Sequence, residues 1–294
     1  MGILRILILF GCGAIFSLSS SADDLPQTSK LEFIQMADTQ LGLSDNNLLL
    51  EIFGLGWDDN NTETDSRLFE QAIATANKHK PAFVIICGDL INRPGHTKQL
   101  ADFKRISSTL NKDITLHLVS GNHDLGSKPT AESLRAYRRN VGPDWYSFEE
   151  DALFGIVLNS SLIGHPEKAE LEAEKQWQWL KQTLALAKAS GKQIMVFQHH
   201  PYFLEQPDES TGMFNIAKER REKYLALLKE YDVDAVFAGH YHRNSYGRDG
   251  GLQMITTGAV SMSFGDDPSG MRMVSVTKDG FEHRYIALDD DVAE

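Results

Sequence analysis

The chain has 294 residues, 41% of them hydrophobic and 24% charged, the balance of an ordinary globular protein. A formal net charge of -12 argues against a nucleic-acid-binding protein, which needs a basic face to displace counterions. It leaves phosphorylated substrates open, because the charge of bound metal ions outweighs that of distant carboxylates.

Met1 to Ala22 stands apart. Arg5 gives a short basic start, Ile6 to Leu18 is an apolar stretch, and Ser19-Ser20-Ser21-Ala22 offers small residues for cleavage. This pattern predicts a signal peptide over 1–22, an exported protein, periplasmic or secreted, and no stable membrane span after cleavage. The competing expectation is an uncleaved anchor, while Phe10, two positions before Cys12, fits a lipoprotein poorly. Cleavage leaves Cys87 as the one cysteine, so no intrachain disulfide can form. Its place in Phe83-Val84-Ile85-Ile86-Cys87 predicts burial as a small hydrophobe.

From Leu31 a strand, loop and helix pattern repeats. Leu31 to Ala37 reads as a strand ending at Asp38-Thr39-Gln40, followed by a polar insert from Leu41 to Thr64. Asp65 to Lys80 has the spacing of an amphipathic helix. Phe83 to Cys87 is a second strand, ending at Gly88-Asp89. Thr97 is placed to cap a helix through Leu110, and Thr130 a helix carrying Leu134, Tyr137 and Val141 inward. Between them, Thr115 to Val119 is a strand ending at Ser120-Gly121, where glycine permits backbone angles that other residues avoid. Tyr146 to Phe148 and Ala152 to Asn159 read as a hairpin joined through Glu149-Glu150-Asp151. Lys168 to Ser190 is the longest helix, with Trp177, Leu180 and Leu184 as its apolar stripe and Gly191 as its stop. Gln193 to Gln198 is a strand, Ile216 to Tyr231 a helix, Asp234 to Ala238 a strand. Shorter β segments fall around Met254 to Thr257, Met271 to Val276 and Phe281 to Ala287. No repeat or linker interrupts this, which predicts one α/β domain over about 31–288.

Five polar clusters sit where apolar strands end: Asp38/Gln40, Asp89/Asn92, Asn122/His123/Asp124, His199, and His240/His242. Taken singly, each has an ordinary structural explanation as a cap, a turn or an interior hydrogen bond. Their recurrence at strand carboxyl ends, where open α/β sheets place their chemistry, points to one metal site. Mixed carboxylate, amide and imidazole donors suit first-row divalent cations and argue against a thiolate site.

Asp38, Gly88-Asp89, Gly121-Asn122-His123-Asp124, His199 and Gly239-His240-Tyr241-His242 resemble the ordered motif set of calcineurin-like metallophosphoesterases. Ala37 to Gly42, Phe197-Gln198-His199 and Gly239 to Asn244 are similar to the subgroup of calcineurin-like phosphoesterase domain-containing proteins regarded as Ser/Thr phosphatases. The resemblance implies a four-layer α-β-β-α sandwich holding two divalent metal ions, drawn from Mn, Fe, Zn or Mg, at the strand carboxyl ends. It implies that Asp89 bridges the ions, with Asp38 and His242 completing one site and Asn122, His199 and His240 the other. Gln40 stands where most of the family has histidine. An amide oxygen is a harder, weaker donor than imidazole, so this position favours Mn or Mg, or leaves a water in place of the side chain.

The implied chemistry is hydrolysis of a phosphate ester by a metal-activated hydroxide. His123 is expected to protonate the leaving oxygen and Asp124 to orient it. Arg243, Asn244 and Asn92 are candidate phosphate contacts, and His200 is expected to pack or to support its neighbours. The expected partner is a phosphorylated small molecule or a phosphoprotein, with phosphate monoesters preferred. The alternatives are a phosphodiesterase or nucleotidase on the same site, and a non-catalytic binding module.

Overall fold

In the computed structural model the residues described are 30–44 and 60–288. The signal peptide expected over 1–22, and most of the insert after Leu41, lie outside the described residues. Eleven strands form two sheets. The first has the order β11-β10-β1-β2-β3, with β1 at Leu31–Met36, β2 at Phe83–Cys87, β3 at Thr115–Val119, β10 at Gly270–Thr277 and β11 at Gly280–Ala287. The second has the order β4-β5-β6-β7-β9-β8. Its strands are β4 (Tyr146–Glu150), β5 (Leu153–Val157), β6 (Gln193–Phe197), β7 (Ala235–Ala238), β8 (Ser245–Asp249) and β9 (Leu252–Thr256).

Three apolar layers follow from the alternation of side chains along these strands. Phe33, Phe83, Ile85, Met195, Phe197 and Phe237 point between the sheets. Phe33 stacks on Phe83 at 4.6 Å and meets Phe197 edge-on at 5.7 Å, joining the two sheets through aromatic contacts. Ile34, Met36, Val84 and Ile86 face the other way, toward helices α1 (Glu63–His79), α2 (Thr97–Ser107) and α4 (Ala131–Asn140). On the far side, Ile156, Val196 and Val236 pack under helices α6 (Glu170–Ser190) and α7 (Lys218–Glu230). Strands covered on both faces read as continuous apolar runs, which is why β1, β2 and β6 were legible in the sequence. The layer order is the α-β-β-α sandwich that the resemblance implies. Short helices α3 (Asn122–Leu125) and α5 (Ser160–Gly164) follow β3 and β5 directly.

Several local expectations need correction. The hairpin strand β4 runs on through Glu149 and Glu150, so the turn is confined to Asp151 and Ala152. Helix α2 is capped by His96, whose ring accepts from the Gln99 amide, and stops at Ser107 instead of Leu110. Strand β8 was missed; its polar, half-exposed residues form an edge strand without an apolar run. Thr130 does cap α4, accepting from the Ser133 amide. Cys87 is buried, as its strand context predicts. Among the described residues no helix is long and apolar enough to cross a membrane.

β1, β2 and β3 run parallel, as do β5, β6, β7 and β9, so their carboxyl ends gather at one edge of the sandwich. Backbone pairing continues into the loops there. The Asp38 amide donates to Gly88 O, the Gln40 amide to Asp89 O and the Gly239 amide to His199 O.

Candidate metal centre

Asp38, Gln40, Asp89, Asn122, His199, His240 and His242 all fall on these linked loops. Asp38, Asp89 and His199 offer donor atoms within 4.8 Å of one another, and all three are buried. His199 Nε2 lies 3.1 Å from Asp89 Oδ2 and 3.1 Å from Asn122 Oδ1. Asp38 Oδ1 is 3.5 Å from His242 Nε2 and 3.8 Å from His199 Nδ1.

The backbone is bent to achieve this. Among the described residues eight non-glycine residues have positive φ, and five of them are Asp38, Gln40, Asp89, His240 and His242. Such conformations persist only where the surroundings over-determine them, and they concentrate at functional sites. Two glycines make the approach possible. Gly88 has φ +84°, and a Cβ there would meet the His199 ring at 2.6 Å. Gly121 corrects the sequence expectation: its φ of -107° is ordinary, and what it supplies is space. A Cβ at Gly121 would run into the Asp89 carboxylate.

Each histidine is oriented by a carbonyl. His199 Nδ1 lies 2.9 Å from Cys87 O and His242 Nδ1 2.6 Å from Met262 O, which commits both Nδ1–H groups and turns both Nε2 atoms inward. His240 is held from the other nitrogen, Nε2 lying 3.4 Å from Met213 O, while its amide donates to Asp38 Oδ2 at 2.9 Å. Phe264 stacks on the His242 ring at 4.2 Å.

The donor chemistry fits divalent cations. Asp38 Oδ1 and Gln40 Oε1 are buried and accept no hydrogen bond from the described residues. Gln40 Nε2 donates to Asn92 Oδ1 at 3.2 Å, which fixes the amide with its oxygen as the free end. Burial raises Asp38 against the opposing pull of His242 and His199. Burial also acts to raise Asp89, but His199, His123 and His240 outweigh it and hold that carboxyl well below its ordinary range. Burial lowers His199, yet Asp89 and Asp38 prevail and push it up to about 9. Buried oxygen lone pairs that face one another in this way favour a cation between them.

The flanking residues separate into those that face the centre and those that support it. His123 Nδ1 is 2.6 Å from Asn92 O, and its amide donates to Asp89 Oδ1 at 2.8 Å, leaving Nε2 as the ring's working nitrogen. The expectation that Asp124 orients His123 is therefore corrected: the Asn92 carbonyl does so. Asp124 instead accepts from the amides of Leu90, Ile91 and Gly121 at 3.0, 3.3 and 2.8 Å, tying the β2 and β3 loops together. Burial and then the Asp89 charge push Asp124 up to about 7. Asn92, expected as a phosphate contact, is engaged inside the protein: its oxygen holds Gln40 and its amide donates to Gly42 O. Asn244 likewise spends its oxygen on Arg272 at 2.5 Å. Arg243 is exposed and lies over the Tyr241 ring.

The sequence reading gave His200 too small a part. A ring nitrogen of His200 comes within 4.8 Å of those of His199 and His240. Ser160 Oγ accepts from the amides of both His199 and His200 and lies 2.9 Å from His200 Nδ1. The doubled histidine before Pro201 was the available signal.

Residues 31–244 match the family described as calcineurin-like phosphoesterase. A Homo sapiens protein, "Serine/threonine-protein phosphatase CPPED1", is 39% identical over 269 residues, covering 88% of this chain and 84% of the relative. Its Danio rerio namesake is 37% identical over 271 residues, covering 87% and 84%. Among solved structures, purple acid phosphatase PPD1 from yellow lupin superposes with a TM-score of 0.65 at 16% identity, over 90% of this chain and 52% of that one. A dimetal phosphatase from Danio rerio gives 0.59 at 18% identity, over 86% and 98%. At these identities the structural likeness speaks for the fold. With the family match covering most of the chain and relatives this similar, the chain belongs to the calcineurin-like phosphoesterases and is a metal-dependent phosphoesterase.

Proposed function

We propose that the enzyme hydrolyses phosphate monoesters, phosphoserine and phosphothreonine in polypeptides included, at a pair of divalent cations. The observation that carries this reading is the convergence of buried oxygen and nitrogen donors on one point, with two oxygens, Asp38 Oδ1 and Gln40 Oε1, accepting nothing from the described residues. Asp38, Gln40, Asp89, Asn122, His199, His240 and His242 are the residues that would hold the cations, with Asp38, Asp89 and His199 offering donor atoms within 4.8 Å of one another. Divalent cations, when bound, supply Lewis acidity, which neutralises phosphoryl oxygens and makes water nucleophilic near neutral pH. The remaining work falls to side chains. His123, steadied through Nδ1 by Asn92 O, presents Nε2 to the leaving oxygen and in its protonated form delivers the proton. Asp124 keeps the two ligand loops in register. The names of the curated relatives support a phosphoprotein substrate, and Met1–Ala22 supports export of the mature protein.

The test is a screen of Mn-supplemented protein against monoesters, phosphopeptides and bis-esters. Faster turnover of a monoester than of its matching bis-ester is expected. The reverse order would establish a diesterase and overturn the assignment. An N-terminus of the mature protein near Asp23 is expected for an exported form, and an intact Met1 contradicts export.

A further inference from the structure

A cleft of about 820 Å³ opens beside the metal centre, with Tyr241 and Arg243, the residues flanking His242, in its wall. Its other walls come from the loop after β6 and the loop between β9 and β10. These two loops also supply Met213 O and Met262 O, which orient His240 and His242. Their apolar side chains face solvent: Met213 is 79% exposed, Met262 40% and Phe264 38%. Half of the exposed large hydrophobic residues among those described thus belong to the two loops that wall the cleft, and exposed apolar side chains gathered in this way mark a contact surface.

The charge of the cleft selects among occupants. Four carboxylates, Glu205, Glu209, Asp266 and Asp267, line it with one guanidinium, Arg243, and the buried Arg221 guanidinium stands 3.9 Å behind Glu209, leaving the balance negative. Glu209 is spent on the Leu204 and Glu205 amides, and Asp267 on the Asn244 amide. Glu205 and Asp266 are exposed and carry no ion pair among the described residues. The substrate's phosphate is drawn to the metal side, so its remaining body meets a wall of net negative charge. A second phosphate or an acidic peptide is repelled there, and a cationic side chain is attracted. The volume lies in the range of built ligand sites. The exposed methionines of the same two loops suit apolar side chains of varied shape.

We infer that this cleft receives the polypeptide flanking the phosphorylated residue, and that it prefers segments carrying lysine or arginine within a few positions of the phosphate. The inference rests on the monoesterase reading above and narrows it to a substrate class.

The experiment compares kcat/KM for three phosphoserine peptides that differ only in flanking Arg, Ala or Glu pairs, with p-nitrophenyl phosphate as reference. The basic peptide is expected to lead the acidic one about three- to tenfold at low salt, with the gap closing as salt rises. Replacing Glu205 and Asp266 together by lysine (E205K, D266K) should invert the order. Equal rates for the three peptides, a preference unaffected by salt, or an order retained in the double variant would each overturn the inference. Should the variant fold poorly, the salt series on the natural protein decides alone. Phosphocholine competing as well as the basic peptide would also overturn it, by showing that a small cation suffices. Turnover of p-nitrophenyl phosphate without peptide preference removes this inference only; turnover of no monoester removes the reading beneath it.

Discussion

The two sheets bring different chemistry to the shared edge and secure it differently. Loops after β1, β2 and β3 contribute oxygen: Asp38, Gln40, Asp89 and Asn122. They are fastened by carboxyl groups that gather backbone amides, one buried and one half-buried. Asp65 Oδ2 accepts from Gly42, Leu43 and Ser44 at 2.9, 2.8 and 3.0 Å, and Asp124 accepts from Leu90, Ile91 and Gly121. Loops after β6 and β7 contribute nitrogen: His199, His240 and His242. They are fastened by carbonyls, two of which belong to loops with exposed side chains. The oxygen half is thus built into the fold by two carboxyl groups, each of which gathers three backbone amides. In the nitrogen half, His240 and His242 are held by neutral bonds from segments that also line the cleft, and His199 by the Cys87 carbonyl at the end of β2.

Variants can break or sharpen this contrast. The largest effect belongs to Asp89, which meets His199 on one side and the His123 amide on the other. Asp89→Asn should lower phosphomonoester turnover roughly a hundred- to a thousandfold, with metal content falling in parallel by elemental analysis. Gly121→Ala, which drives a methyl group into the Asp89 carboxylate, should weaken Mn binding by about ten- to a hundredfold in calorimetric titration. Asp124→Asn and Phe264→Ala test the two fastenings directly. The first leaves backbone amides poorly satisfied and should cost about 1–3 kcal/mol of stability in urea unfolding. The second removes a ring stacked on His242 and already 38% exposed, so Mn affinity should fall severalfold with little change in stability. Equal stability losses in both would erase the distinction.

The smallest effect lies away from the site. His117 on β3 stacks on Phe148 of β4 at 3.8 Å, and burial pushes it down to about 4. Between that value and its ordinary 6.5 the unfolded chain binds more protons than the native one. Stability should therefore rise with pH across this window and gain nothing more from His117 above it. His117→Phe should flatten that part of the slope, read from urea midpoints at several pH values between the two limits.

The candidate cluster was legible because each of its five groups closes its own apolar strand, a local pattern that survives without knowledge of the tertiary structure. The supports were not. Met213 O and Met262 O are backbone atoms brought in from distant loops, and no side-chain pattern announces a carbonyl. Asp124 was misjudged for the same reason: adjacency in sequence suggested a bond to His123, whereas the short helix α3 points its carboxylate back at the amides of two loops. Asn92 and Asn244 look like substrate contacts on paper, and both are consumed by neighbours, Gln40 and Arg272. Strand β8 escaped notice because an exposed edge strand needs no apolar alternation.

The left-handed backbone at five positions of the candidate site has a thermodynamic corollary. Each such residue costs on the order of 1–2 kcal/mol, so together they are comparable with the net stability of a whole domain. Ions that bind this geometry and not the relaxed chain act as folding ligands. The melting temperature should climb with the logarithm of free metal concentration, and chelation should first loosen the amides around Asp38, Asp89 and His240, detectable as faster hydrogen exchange before global unfolding.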